Sequence, residues 1–115
     1  MKKNVLQEKS LELASLGIEI SIILQEKREY SFADQIKRSA TSVGANIAEA
    51  SHPQSRADMI SKFEIALKEA FEVDHWLKVF KQANLIEESI FESTNKICTK
   101  IRVLLISSIK TLKTK

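Results

Sequence analysis

Glycine is scarce in this chain of 115 residues, with two copies, and proline occurs once. Folds that reverse direction every few residues draw heavily on both, so an all-β architecture is disfavoured and long helices with few turns are expected. A single cysteine, Cys98, excludes an internal disulfide framework and points to a reducing compartment, the cytoplasm. No apolar run approaches the roughly 18 residues of a membrane-spanning helix. The opening Met-Lys-Lys-Asn-Val-Leu-Gln-Glu lacks the apolar stretch of a signal peptide. Gly17 and Gly44 both fall inside helical patterns, so no glycine-rich phosphate loop exists either.

What the chain does have is apolar periodicity. A hydrophobic share of 43% is that of a folded chain, and its length suits one domain over residues 1–115. A first helix is predicted from about Asn4 to Arg28, with Val5, Leu6, Leu13, Leu16, Ile20, Ile23 and Leu24 on one face. Ser31 opens Ser-Phe-Ala-Asp34, a capping-box-like start, and Phe32, Ile36, Ala40, Val43 and Ile47 carry the second helix to about Ala50. Pro53 marks the break that follows. Ser55-Arg-Ala-Asp58 repeats the start signal for a third helix, with Met59, Phe63, Ala66, Leu67, Ala70 and Leu77 on its face and Asn84 as its stop. A fourth runs from about Glu87 to Leu112, its core side formed by Ile90, Ile97, Ile101, Leu104, Leu105, Ser108 and Leu112. Four helices with short connections predict an all-α, antiparallel up-down-up-down four-helix bundle.

The second helix is unusual in being built mostly of small residues, which lets neighbouring backbones come close. Other helices carry more apolar surface than one core consumes. At 100° per residue, Leu11, Ile18 and Ile22 lie nearly opposite the core face of the first helix. Val103 and Ile106 do the same on the fourth, and Ile65 and Trp76 fall together on the third. Coincident outer stripes predict a homo-oligomer interface at these residues; the alternative is a monomer with scattered exposed apolar side chains.

No catalytic constellation is visible, and the chain is read as a non-enzyme needing no cofactor. His52 and His75 lack metal-site spacing, and Cys98 has the default meaning of a small buried hydrophobe. Asp74 falls inside the apolar arc of the third helix, and a buried acid needs a partner, with Lys37 the candidate. Asn46 and Glu49, one turn apart beside the core, are read as structural.

Charge offers the remaining lead. The net charge is +3, and from Ser93 onward there are six basic residues and no acidic one. Lys96, Lys100, Arg102, Lys110 and Lys113 form a candidate phosphate-neutralising surface for RNA or DNA, without base readout. No aromatic interleaves with them, so no stacking platform for single strands is evident. The other reading of this asymmetry is that cations suit the negative end of a helix.

Together, Gln35-Ile-Lys-Arg-Ser-Ala-Thr-Ser-Val-Gly-Ala-Asn-Ile-Ala-Glu-Ala50, Gln54-Ser-Arg-Ala-Asp-Met-Ile-Ser-Lys62, Ile65-Ala-Leu-Lys-Glu-Ala70 and Asp74-His-Trp-Leu77 resemble the four-helix-bundle proteins known as 23S rRNA intervening-sequence proteins. These segments cover the middle half of the chain. The resemblance implies a left-handed antiparallel bundle, commonly a homopentamer, with no catalytic residues to carry over. Relatives of the accessory variability protein of diversity-generating retroelements, basic pentamers that bind nucleic acid and a reverse transcriptase, belong to the same group. The implied function is that of an oligomeric accessory factor binding RNA or DNA electrostatically. Its alternative is a protein-interaction scaffold with a protein partner and no nucleic acid, and neither reading involves a membrane.

Overall fold

The computed structural model describes residues 4–114; Met1 to Lys3, at the head of the opening segment, and Lys115, the last basic residue, lie outside the described residues. Four helices follow one another: α1 (Val5–Glu26), α2 (Tyr30–Ala50), α3 (Arg56–Gln82) and α4 (Glu88–Lys113). There is no strand among the described residues, and the body measures 47 × 25 × 22 Å. Its length is about that of its longest helix at 1.5 Å per residue.

Each helix touches its two neighbours in the cyclic order α1, α2, α3, α4, α1. Contacts across each pair of successive helices run in opposite sequence directions. Gly17 meets Ala40 while Gly44 meets Ser10, and Arg38 meets Glu69 while Glu49 meets Lys62. Asp74 meets Arg102 while Glu64 meets Lys113. The up-down course expected from the short connections is therefore present.

Local chemistry explains the helix ends. Asn4 caps α1 by accepting from the Gln7 N–H at 3.0 Å, and Ser55 caps α3 by accepting from the Asp58 N–H at 3.0 Å. Asp58 in turn accepts from the Gln54 N–H, so the predicted start of α3 is correct. The predicted start of α2 at Ser31 is not. Helix α1 ends in a left-handed residue, Arg28 (φ 61°), with Glu29 N–H donating to Leu24 O and Arg28 N–H to Gln25 O. This closed turn delivers the chain straight into a helix at Tyr30, with Glu29 at the cap making no side-chain bond. The same motif closes α3 at Asn84 (φ 59°), the stop anticipated there, with Leu85 N–H donating to Phe80 O.

Leu13, Ile20 and Leu24 of α1 meet Ile36, Val43 and Ile47 of α2, Val73, Leu77 and Phe80 of α3, and Ile101 and Leu105 of α4 in a fully buried core. Buried serines and threonine cause no deficit, because Ser10, Ser21, Ser39 and Thr94 each donate to a carbonyl three or four residues back. That is how α2 can be rich in polar small residues and still be central.

Two faces differ from expectation. Val5, placed on the core side of α1, is 44% exposed. On α4 the buried line is Phe91, Thr94, Cys98, Ile101, Leu105 and Ile109, whereas Ile90, Ile97, Leu104, Ser108 and Leu112 are half-buried. The helix is turned roughly 60° from the predicted orientation at 100° per residue. Its apolar residues span too wide an arc for periodicity to choose, and contacts with α3 decide.

Candidate interaction surface

Three of the four helix pairings are fastened. Helices α1 and α2 meet through Gly17, Ala40, Gly44 and Ser10 at close approach. Helices α2 and α3 share Arg38 with Glu69 and Glu72, and Lys62 with Glu49 at 3.1 Å. Helices α3 and α4 share Asp74 with Arg102, Glu64 with Lys113 and Lys81 with Glu88. Among the described residues no ion pair or side-chain hydrogen bond joins α1 to α4, and these two helices touch least. The result is an apolar seam along one side of the bundle.

Three shallow depressions follow that seam. One is floored by Leu16, Ile22, Ile23 and Ile90. The next holds Leu11, Leu16 and Ile97. The last, of about 540 Å³, is ringed by Lys9, Lys96 and Lys100 over Ile97 and Val103. Leu16, Ile23, Ile90 and Ile97 were expected in the core. Their heptad spacing on both helices was the available signal for a seam between α1 and α4.

The outer apolar residues stand where the wheel placed them. Leu11 is 70% exposed, Val103 58%, Ile22 51%, Ile106 49%, and Ile18 and Ile65 40% each. Trp76 differs, being half-buried within the chain's own aromatic cluster, 5.9 Å from Phe32 and 6.1 Å from Phe80 between ring centres. Its indole N–H donates to Glu72 at 3.1 Å. Burial pushes the Glu72 carboxyl upward, but the hydrogen bonds from Trp76 and Arg38 outweigh it and hold the group below its ordinary value. Phe71, 48% exposed, belongs to no predicted stripe.

The basic set divides. Lys96, Lys100 and Lys110 are exposed and make no ion pair among the described residues. Lys113 is 2.8 Å from Glu64, and Arg102 is only 21% exposed, 3.7 Å from Asp74 and over the ring of Phe71. Arg102 is thus committed to the inside of the protein rather than to a phosphate. It is also the partner Asp74 needs, together with Lys78 at 2.9 Å. Lys37, expected there, stays exposed on α2, because Asp74 lies on the flank of α3 that faces α4.

Other candidates resolve as structure. Cys98 is fully buried and donates to Ala70 O at 3.2 Å, and burial raises its thiol to about 11 despite the nearby Arg102. Asn46 donates to Ser42 O, and Glu49 pairs with Lys62. His52 is exposed in the α2–α3 turn, and His75 lies 5.0 Å from Trp76. No group of three metal-ligating side chains occurs among the described residues, and no helix is long and apolar enough to cross a membrane.

Residues 2–107 match the family of the 23S rRNA-intervening sequence protein. This chain belongs to that family. The family match spans the first and last helices as well as the motif-bearing middle. A crystal structure of a protein of unknown function from the S23 ribosomal protein family of Bacteroides thetaiotaomicron is similar at 45% identity, with a TM-score of 0.88. The match covers 91% of this intervening-sequence family member and 98% of that chain. No curated protein matches. The family and the neighbour together fix the four-helix architecture and assign no reaction.

Proposed function

We propose that this protein is a non-enzymatic, self-associating interaction module of the reducing cytoplasm. The observation that carries the reading is the outer apolar surface of α1 and α4. Leu11, Ile18 and Ile22 on one helix, and Val103 and Ile106 on the other, lie outside a core that is already complete without them. Large side chains clustered this way favour contact with another protein surface. Contact between the α1 stripe of one copy and the α4 stripe of the next would be heterologous, and such contacts close into rings such as a pentamer. Replacing Ile18 and Val103 together by glutamate leaves the core untouched. The variant is expected to elute from gel filtration as a single copy, and unchanged elution would show that assembly does not use these faces.

A second reading, electrostatic binding of RNA or DNA, is favoured by Lys96, Lys100 and Lys110, which keep their charge unpaired among the described residues. Fluorescence anisotropy with short duplexes across a salt series tests it. Binding that weakens steeply with salt supports it, and no binding at low salt removes it.

A further inference from the structure

We propose that the glutamates of α1 and the lysines of α4 are one another's partners between copies, so that charge fixes which faces meet. The proposal rests on the self-association reading and adds what orients and regulates that contact. The two helices differ in sign. Helix α1 carries Glu8, Glu12, Glu19 and Glu26 against one lysine, Lys9. All four glutamates are exposed, and among the described residues only Glu12 is in an ion pair, with Lys9 at 3.3 Å. Glu26 stands in the last turn of α1, where no basic residue accompanies it and the helix end is itself negative. From Lys96 onward α4 holds no acid, and Lys96, Lys100 and Lys110 have no acidic partner among the described residues. Two sets of unpaired charge, opposite in sign, thus stand on the two helices whose outer apolar residues are uncovered.

Position relates the two sets. At 100° per residue Glu8, Glu12 and Glu19 run along one edge of the stripe of Leu11, Ile18 and Ile22, and Lys96 and Lys100 along one edge of Val103. Opposite charges bordering an apolar seam between helices set partner choice and orientation. Rotation about an axis along the bundle leaves every residue at its own height. In such a ring α1 of one copy meets α4 of the next at the register the two hold within one chain. That register places Lys9 beside Lys96 and Lys100, and Glu12 beside Ile97. Glu8 with Glu12, and Lys96 with Lys100, are each one turn apart, about 6 Å along the axis, so both pairs can close together. At the other end Glu19 stands level with Ser89 and Ser93, where α4 bears Glu92, and the attraction is confined to the lysine end. An isologous contact would set glutamates against glutamates, or lysines against lysines. A phosphate backbone would satisfy the lysines but would find the glutamate edge a repulsive neighbour.

The test is the dissociation constant of the assembled full chain, read by light scattering over a dilution series at about 50 and 500 mM salt. Three variants at exposed positions are compared, with folding checked by circular dichroism: Glu8→Lys with Glu12→Lys, Lys96→Glu with Lys100→Glu, and all four changes in one chain. Each reversal alone is expected to raise the dissociation constant about tenfold or more, and the four together to bring it back near the wild-type value. Mixing the two reversed variants in equal amounts should restore association, because each supplies the sign the other needs. The wild type is expected to dissociate more readily at the higher salt. Reversals that change nothing, or losses that add in the four-fold variant, overturn the proposal. If such an oligomer is still dissociated by Ile18→Glu with Val103→Glu, the apolar faces hold it alone and the self-association reading stands. A wild type that is monomeric at every concentration removes both.

Discussion

A methyl group built on Gly17 would collide with the Cβ of Ala40 and stand 3.5 Å from the Ile36 carbonyl oxygen. Helices α1 and α2 approach so closely here that one of the two residues must lack a side chain, which accounts for a glycine inside a helix. Gly17→Ala is expected to destabilise the protein by about 1–3 kcal/mol through overpacking, and Ala40→Gly added to it should recover part of the loss. Gly44 is different, because a new Cβ there stands 3.2 Å from the Ser10 hydroxyl and no closer than 3.5 Å to any other atom of Ser10. The strain is offset by a helix-propensity gain of about 1 kcal/mol, so Gly44→Ala should be close to neutral. Urea unfolding of the three variants decides; equal losses at both glycines would contradict the packing account.

Arg28 holds a left-handed backbone, φ 61°, at the α1–α2 turn. Glycine adopts that conformation without the clash of a Cβ. Arg28→Gly should therefore raise stability by about 0.5–1 kcal/mol, seen as a higher melting temperature. A lower one would mean that the arginine side chain contributes more than its backbone costs.

Asp74 sits buried between Lys78 and Arg102, its side chain 12% exposed. Removing Arg102 leaves that carboxylate with one exposed lysine. Arg102→Leu is expected to cost about 2–3 kcal/mol, somewhat less than a fully buried pair, and Asp74→Leu in the same chain should restore much of it. Additive losses in the double-mutant cycle would show that the two residues are not coupled.

Much of this architecture was legible in the sequence where a single side chain announces a local event. Ser55 with Asp58, and Asn84, mark the ends of α3 because their chemistry is specific to those positions. Arg28 carries no such mark, so the sequence pattern sets the turn late and starts α2 at Ser31 instead of Tyr30. The outer stripe of Leu11, Ile18 and Ile22 was legible because it lies opposite a clear core face. On α4 apolar residues cover most of the circumference, and only Ala70 and Asp74 across the interface select Cys98 and Arg102 for the inside. Pairings between helices, such as Asp74 with Arg102 rather than Lys37, depend on register in three dimensions. The same register sets Arg102 and Lys113, two of the five residues read as a phosphate surface, beside Asp74 and Glu64.

Burial raises the Cys98 thiol to about 11 from an ordinary 9.0. A raised value means the native state favours the protonated thiol. The associated stability is complete below pH 9 and is lost as pH rises towards 11, in total about 2–3 kcal/mol. Unfolding free energies of wild type and Cys98→Ala, compared across that interval, should converge as the wild type weakens. Parallel curves, or rapid labelling of the native thiol at pH 8, would contradict the burial of this group.

Self-association stands at the centre of the proposed function, and the native mass tests it most directly. Light scattering on the purified protein at about 50 μM should return at least twice 13.0 kDa, in whole units of that mass, and Ile18→Glu with Val103→Glu should return one unit. A wild-type mass of 13.0 kDa under the same conditions would contradict the account.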